Sequence, residues 1–271
     1  MMSSIALRGA ALLAAGLLLS PPAAPVAAQE KIIQDNSFMI EEAYNQEPGV
    51  VHHIATFAHH RAGEWGSAFT QEWPLGGIRH QLSYTVPVEG AGGTGLGDVM
   101  LHYRLQLLGS AEHALAMSPR LSALLPTGSA RAGRGAGGFG IQAALPVAWN
   151  FAPRLTAVAN VIGTIVPRAE NPAGDAATTL ELGLGGSLIW SLHPRLNLLV
   201  EGIWSRGDDV IGDGRTTAGE EAWLNPGVRW SFNLAGDWQV VPGVAYTIGV
   251  GPTRGEDAVF LYFAVEHPFR R

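Results

Sequence analysis

The chain of 271 residues contains no cysteine, which removes disulfides, thiolate metal sites and cysteine nucleophiles from consideration. That absence fits a periplasmic or outer-membrane setting but is shared by many cytosolic proteins. Lysine is almost missing as well, with Lys31 the single example, so no phosphate-binding loop ending in lysine can be built beyond it. Seventeen basic side chains face 23 acidic ones, a net charge of -6. A chain of this balance has no electrostatic reason to bind nucleic acid. After the first 28 residues no stretch of 18 consecutive apolar residues occurs, which excludes membrane-spanning helices there.

The first 28 residues read as a secretory signal. Arg8 is the only charged side chain before Glu30, an apolar run from Ala10 to Leu19 follows, and Val26-Ala27-Ala28 offers the small residues a signal peptidase requires. Residues 29–49 are polar and irregular, and form an N-terminal periplasmic segment or plug. Asp35 or Ser37 is placed to cap one short helix there, and Pro48-Gly49 would end it. Residues 50–271 form the third part, which the remaining pattern describes.

What the chain has in abundance is alternation. In Gly97-Asp98-Val99-Met100-Leu101-His102-Tyr103-Arg104-Leu105-Gln106-Leu107, the residues Val99, Leu101, Tyr103, Leu105 and Leu107 share one face. Asp98, Met100, His102, Arg104 and Gln106 share the other, the geometry of a strand. A helical template started at Val99 meets His102 and Gln106 and fails. The same alternation recurs at 139–150, 180–190, 196–204 and 223–233, within about twelve strand-like runs. Connections alternate too: short ones at 109–112, 151–153, 192–194 and 235–237, longer ones at 89–97, 127–138, 168–176, 207–220 and 251–257. This rhythm predicts an all-β fold: a single antiparallel transmembrane β-barrel of about 12 strands with short periplasmic turns and longer extracellular loops. Trp149, Trp190, Trp204, Trp230 and Trp238 near strand ends supply an aromatic girdle. Pro119, Pro146, Pro226 and Pro242 are discordant, since proline inside a strand removes a ladder hydrogen bond.

Catalytic motifs fail on context. Gly90, Gly92, Gly95 and Gly133, Gly135, Gly138 both match G-x-G-x-x-G, but each precedes a period-two strand where a phosphate site needs a helix N-terminus. With 35 glycines such matches arise by chance. His53 and His59 share a face but stand roughly 20 Å apart at about 3.3 Å per residue, too far for one metal ion, although a cross-strand partner stays open. Ser83, Ser187 and Ser205 fall on polar faces without a histidine at matching depth, which argues against a lipid hydrolase. The expectation is therefore no enzyme, no metal and no cofactor.

The polar faces carry the functional reading. Asp98, His102, Arg104, Glu181, Glu201, Asn225 and Arg229, with Arg79, Gln81, Gln142, Asn160 and Asn197, should line one lumen. About twelve strands leave an interior wider than eight strands, which side chains fill, and narrower than open sixteen-strand porins. The predicted function is an outer-membrane channel or transporter for small solutes. The alternatives are a closed structural or adhesive barrel, and a lipid hydrolase. Partners are the outer-membrane bilayer, a small-molecule solute and the barrel-assembly machinery.

Three stretches resemble a known family: residues 35–51 (Asp35-Asn36-Ser37-Phe38-Met39-Ile40-Glu41-Glu42-Ala43-Tyr44-Asn45-Gln46-Glu47-Pro48-Gly49-Val50-Val51), 95–99 and 119–128. They are similar to the outer-membrane β-barrel family of transporters assigned to the MetA pathway of phenol degradation. The resemblance covers nearly the whole mature chain and implies passage of small aromatic or other apolar compounds. It implies no catalytic residues. One departure is the ending, where Phe269 is followed by Arg270-Arg271 instead of closing on an aromatic residue.

Overall fold

The structure, a computed structural model, describes residues 32–33, 37–90 and 93–269. The stretch read as a signal, the helix cap at Asp35 and the Arg270-Arg271 ending lie outside the described residues. Twelve strands form the wall: β1 Val50–His60, β2 Trp65–Pro74, β3 His80–Glu89, β4 Val99–Leu105, β5 Arg120–Leu125, β6 Gly140–Ala152, β7 Leu155–Glu170, β8 Ala176–His193, β9 Leu196–Gly212, β10 Arg215–Trp230, β11 Trp238–Gly249 and β12 Ala258–Pro268. Three short strands, Gly95–Leu96, Leu115–Met117 and Phe232–Leu234, pair alongside them. Every wall strand is antiparallel to its neighbours in sequence, and β1 pairs with β12 from Val50↔Pro268 to His60↔Ala258, so the sheet closes on itself. Closure leaves no unpaired edge, the condition for a sheet to sit in hydrocarbon.

The burial pattern is that of a soluble protein turned inside out. Leu184, Leu188, Trp190, Leu261 and Phe263 are exposed, while Glu201, Asn225, Arg229 and His52 are each 0% exposed. Such an exchange is stable only if the outer face meets lipid. Trp149, Trp190 and Trp238 lie exposed at the end of the barrel that carries the two-residue turns Pro153-Arg154 and Pro194-Arg195.

Two boundaries differ from the sequence pattern. Residues 207–220, expected as a loop, are the paired ends of β9 and β10, joined by Asp213-Gly214. Strands of 16 to 18 residues, β7 to β10, exceed the roughly 9–11 needed to cross a bilayer, so their hairpins rise beyond it. On the opposite side the connection 106–119 is longer than the turn expected at 109–112, because Leu115–Met117 folds back to pair with Val147–Trp149. The discordant prolines fall where ladders stop. The β5–β6 ladder ends at Arg120↔Ala144, before Pro146; the β10–β11 ladder skips Asn225-Pro226 and ends at Arg229↔Gly243, beside Pro242. Pro119 lies just outside β5. On the other side Pro146, Pro226 and Pro242 stay in register with Asn160, Val200 and Phe263, so each of these prolines interrupts one ladder and leaves its second neighbour paired.

Leu184 faces outward near mid-wall and Glu181 faces inward at the open mouth. Leu184→Arg is expected to lower stability by about 2–4 kcal/mol in urea unfolding monitored by heat-modifiable gel mobility, whereas Glu181→Arg should have little effect.

Candidate functional site

Residues 37–47 lie among the inward side chains of the wall without forming a helix, strand or regular turn. The helix expected from Ser37 onward is absent because Glu41 N, the first amide that would bond back to Ser37 O, is taken by Asn160, and Ser37 O accepts from Arg229 instead. The Glu201 carboxylate accepts from the backbone N–H of Phe38 at 2.9 Å, Met39 at 3.1 Å and Ile40 at 3.2 Å, and from Asn225 Nδ2 at 2.7 Å. Three consecutive amides converging on one anion form a nest.

The rest of the strap is held in the same manner. Asn160 Oδ1 accepts from Glu41 N at 2.7 Å while its Nδ2 donates to Glu41 O at 3.0 Å. Gln106 accepts from Asn45 N at 2.8 Å and donates to Ala43 O at 2.9 Å. Gln81 accepts from Gln46 N at 2.7 Å, Arg104 donates to Tyr44 O at 3.0 Å, and Arg229 donates to Ser37 O at 3.3 Å. The anchors come from β10, β9, β7, β4 and β3 in turn, so the strap runs across the lumen. Its apolar side chains are accommodated by glycines. A Cβ at Gly227 or Gly243 would stand 2.5 Å from the Phe38 ring, and one at Gly185 would collide with Ile40. Phe38 also packs on Phe260 and Tyr262, at centroid distances of 5.8 and 5.3 Å.

Charges of both signs concentrate where the strap meets β1 to β5. Arg104 lies 3.7 Å from Glu72, 3.8 Å from Glu42 and 4.0 Å from Glu41, and Arg120 bonds Glu41 and, at 2.5 Å, Gln142. His102 shares hydrogen bonds with Ser122 at 2.8 Å and Thr85 at 3.0 Å, and Thr85 with Thr70 at 2.8 Å. Beside these groups is a cavity of about 180 Å³ whose lining includes Thr56, Thr70, Thr85, His102, Arg120 and Tyr262. Glu42, His52 and Glu72 bring three ligand atoms within 4.8 Å of one another, the spacing of a metal site. The Arg104 guanidinium already supplies their positive charge, and His52 bonds Gln46 at 3.0 Å.

Of the residues the sequence singled out, His102, Arg104, Glu201, Asn225 and Arg229 meet at or beside the strap. Asp98 and Glu181 do not. Asp98 precedes β4, half-buried, and accepts from Gly128 N at 2.9 Å and Ala136 N at 2.6 Å, organising the loop at 126–139. Glu181 is exposed at the mouth, beside Asp208, Asp209, Glu220 and Glu221. Arg79 is exposed in the turn before β3, not on a strand face. A histidine does stand level with Ser83, since His102 pairs directly across from it, but both ring nitrogens of His102 bond Ser122 and Thr85. Glu72 and Arg120 were missed, although the alternation of β2 with Thr70 and of β5 with Ser122 contains the signal.

With no native cysteine, Ser37→Cys provides a single reporter at a position 4% exposed. Adding Glu201→Ala should raise its maleimide labelling rate at least about tenfold, because hydrogen bonds to a charged group contribute about 1.5–3 kcal/mol each.

The sequence profile of the family described as "Putative MetA-pathway of phenol degradation" matches residues 46–257. No curated protein sequence matches the chain. Among solved structures, an outer-membrane channel of Pseudomonas putida F1 is similar with a TM-score of 0.62 at 13% identity, over 86% of this chain and 100% of that one. The NanC porin is similar with a TM-score of 0.55 at 9% identity, over 81% of this chain and 100% of that one. At these identities the likeness concerns the fold, a porin-type barrel. The family profile, by contrast, spans most of the sequence, and the chain belongs to that MetA-pathway family of phenol degradation.

Proposed function

We propose that the protein is an outer-membrane channel for small solutes whose lumen is occupied by its own N-terminal segment, acting as a plug. On this reading residues 1–28 are removed on export, residues 29–49 follow from the periplasmic end, and the two-residue turns lie in the periplasm. The observation that carries it is the Glu201 nest: a wall carboxylate holds three backbone amides of the strap, each replaceable by water. Water can replace the polar contacts of the plug, whereas leaving its place also exposes Phe38, Ile40 and the Phe260 and Tyr262 rings, a cost that favours the seated state.

The solute class follows from size and lining. A cavity of about 180 Å³ is comparable to engineered protein cavities that admit benzene. Here Ile40, Ile54 and Phe38 offer apolar contact beside the threonine hydroxyls and Arg120, which suits a single-ring or similarly small compound carrying a polar group. The family membership points the same way. Catalysis is not part of the proposal: His102 bonds Ser122, but its other ring nitrogen bonds the Thr85 hydroxyl where a triad places a carboxylate or carboxamide. A closed structural barrel is the competing reading, supported by the density of strap anchors.

The double variant Glu201→Ala with Asn160→Ala removes two of the strap's polar anchors. It should assemble and show a planar-bilayer conductance several-fold above the parent chain, with faster entry of single-ring solutes in liposome swelling. An assembled variant that stays electrically silent would favour the closed barrel.

A further inference from the structure

The outer face of the closing seam holds a histidine pair that the lumen does not use. His53 on β1 and His267 on β12 are half-buried diagonal neighbours near the short-turn end, and their Nε2 atoms are 3.0 Å apart. The rings are close to coplanar, at 18°, with centroids 5.1 Å apart, so the two nitrogen tips face each other. His267 is further fixed by Trp238, stacked at 4.4 Å, and by its Nδ1, 3.1 Å from the Pro268 carbonyl oxygen. Donation from Nδ1 to that carbonyl leaves Nε2 of His267 with its lone pair directed at His53. Among the described residues no carboxylate or guanidinium pairs with either ring.

We propose that His53 and His267 form a bidentate site for a divalent transition-metal ion of the copper, nickel or zinc class. Imidazole is the preferred donor for these ions. Two nitrogens bound to one ion at about 2.0–2.1 Å lie roughly 2.9–3.4 Å apart, so the existing separation needs little change. What must change is ring orientation, a turn that brings both lone pairs to one point. A backbone carbonyl on the remaining ring N–H is the contact that orients metal-ligating histidines, and His267 has it. The histidines flanking this position on β1 do not compete: His52 points inward to Gln46 and Glu72, and His59 stands near the far end of the strand. Water completes the coordination sphere, which makes the ion exchangeable. Because the ligands come from the first and last strands, a bound ion ties the closure of the barrel, whether or not the lumen conducts.

The test uses the full chain without an affinity tag, assembled in detergent and titrated with Cu²⁺. The expected result is one equivalent bound with nitrogen splitting in its electron paramagnetic resonance spectrum, and an unfolding equilibrium shifted about 100-fold when copper stands about 100-fold above its dissociation constant. His53→Gln and His267→Phe should each weaken binding at least tenfold. His267→Phe keeps a ring against Trp238 and removes only the nitrogens, so a loss of binding in an assembled, heat-modifiable barrel reports ligation. Copper binding that survives both substitutions together, or a parent chain without nitrogen-ligated copper, overturns the proposal.

Discussion

The structure depends on a problem of backbone accounting. A chain segment inside an enclosed barrel has no strand partner, and each N–H or C=O it fails to satisfy costs free energy comparable to a lost hydrogen bond. Here the wall meets that requirement with side chains of matched reach: carboxamides from Gln81, Gln106 and Asn160, guanidinium groups from Arg104 and Arg229, and the Glu201 carboxylate. Remove the strap and those same groups are exposed to whatever else enters. Wall and strap are therefore each half of one polar network, and neither half is fully satisfied without the other or water.

Shape is settled by absence of side chains as much as by their presence. Gly227 and Gly243 sit opposite Phe38, and Gly185 opposite Ile40, so the strap's apolar residues lie against bare backbone. Glycine weakens a strand, and its use here reflects the need for close approach more than any turn. The charged cluster works differently. Arg104 and Arg120 neutralise Glu41, Glu42 and Glu72 at short range, which lets ionised groups persist where few waters reach.

Legibility in the sequence follows from which interactions are local. Phase along a strand is local, so the inward direction of His102, Arg104, Glu201, Asn225 and Arg229 could be read from alternation alone. Depth along the barrel axis is not, since it needs strand ends; Asp98 and Glu181 share the correct phase but stand at the mouth. The 207–220 stretch reads as loop because Gly207, Asp208, Asp209, Gly212 and Asp213 are turn-forming residues, and only pairing with the facing strand keeps it extended. The capping signal at Ser37 was overridden by a contact 119 residues away, between Glu41 N and Asn160, which no local pattern encodes.

Chain order gives the strap a further consequence. It emerges from synthesis and export before any wall strand, yet its anchors lie on strands completed much later, and the last strand must return to pair with Val50, the residue just past the strap. This pairing joins residues about as distant in sequence as the barrel allows, the slowest kind of contact to form. The segment must either be gathered in before β12 docks or thread back through an open end afterwards. In the first case the polar anchors act as a template around which the strands arrange, and the interior is never empty during maturation.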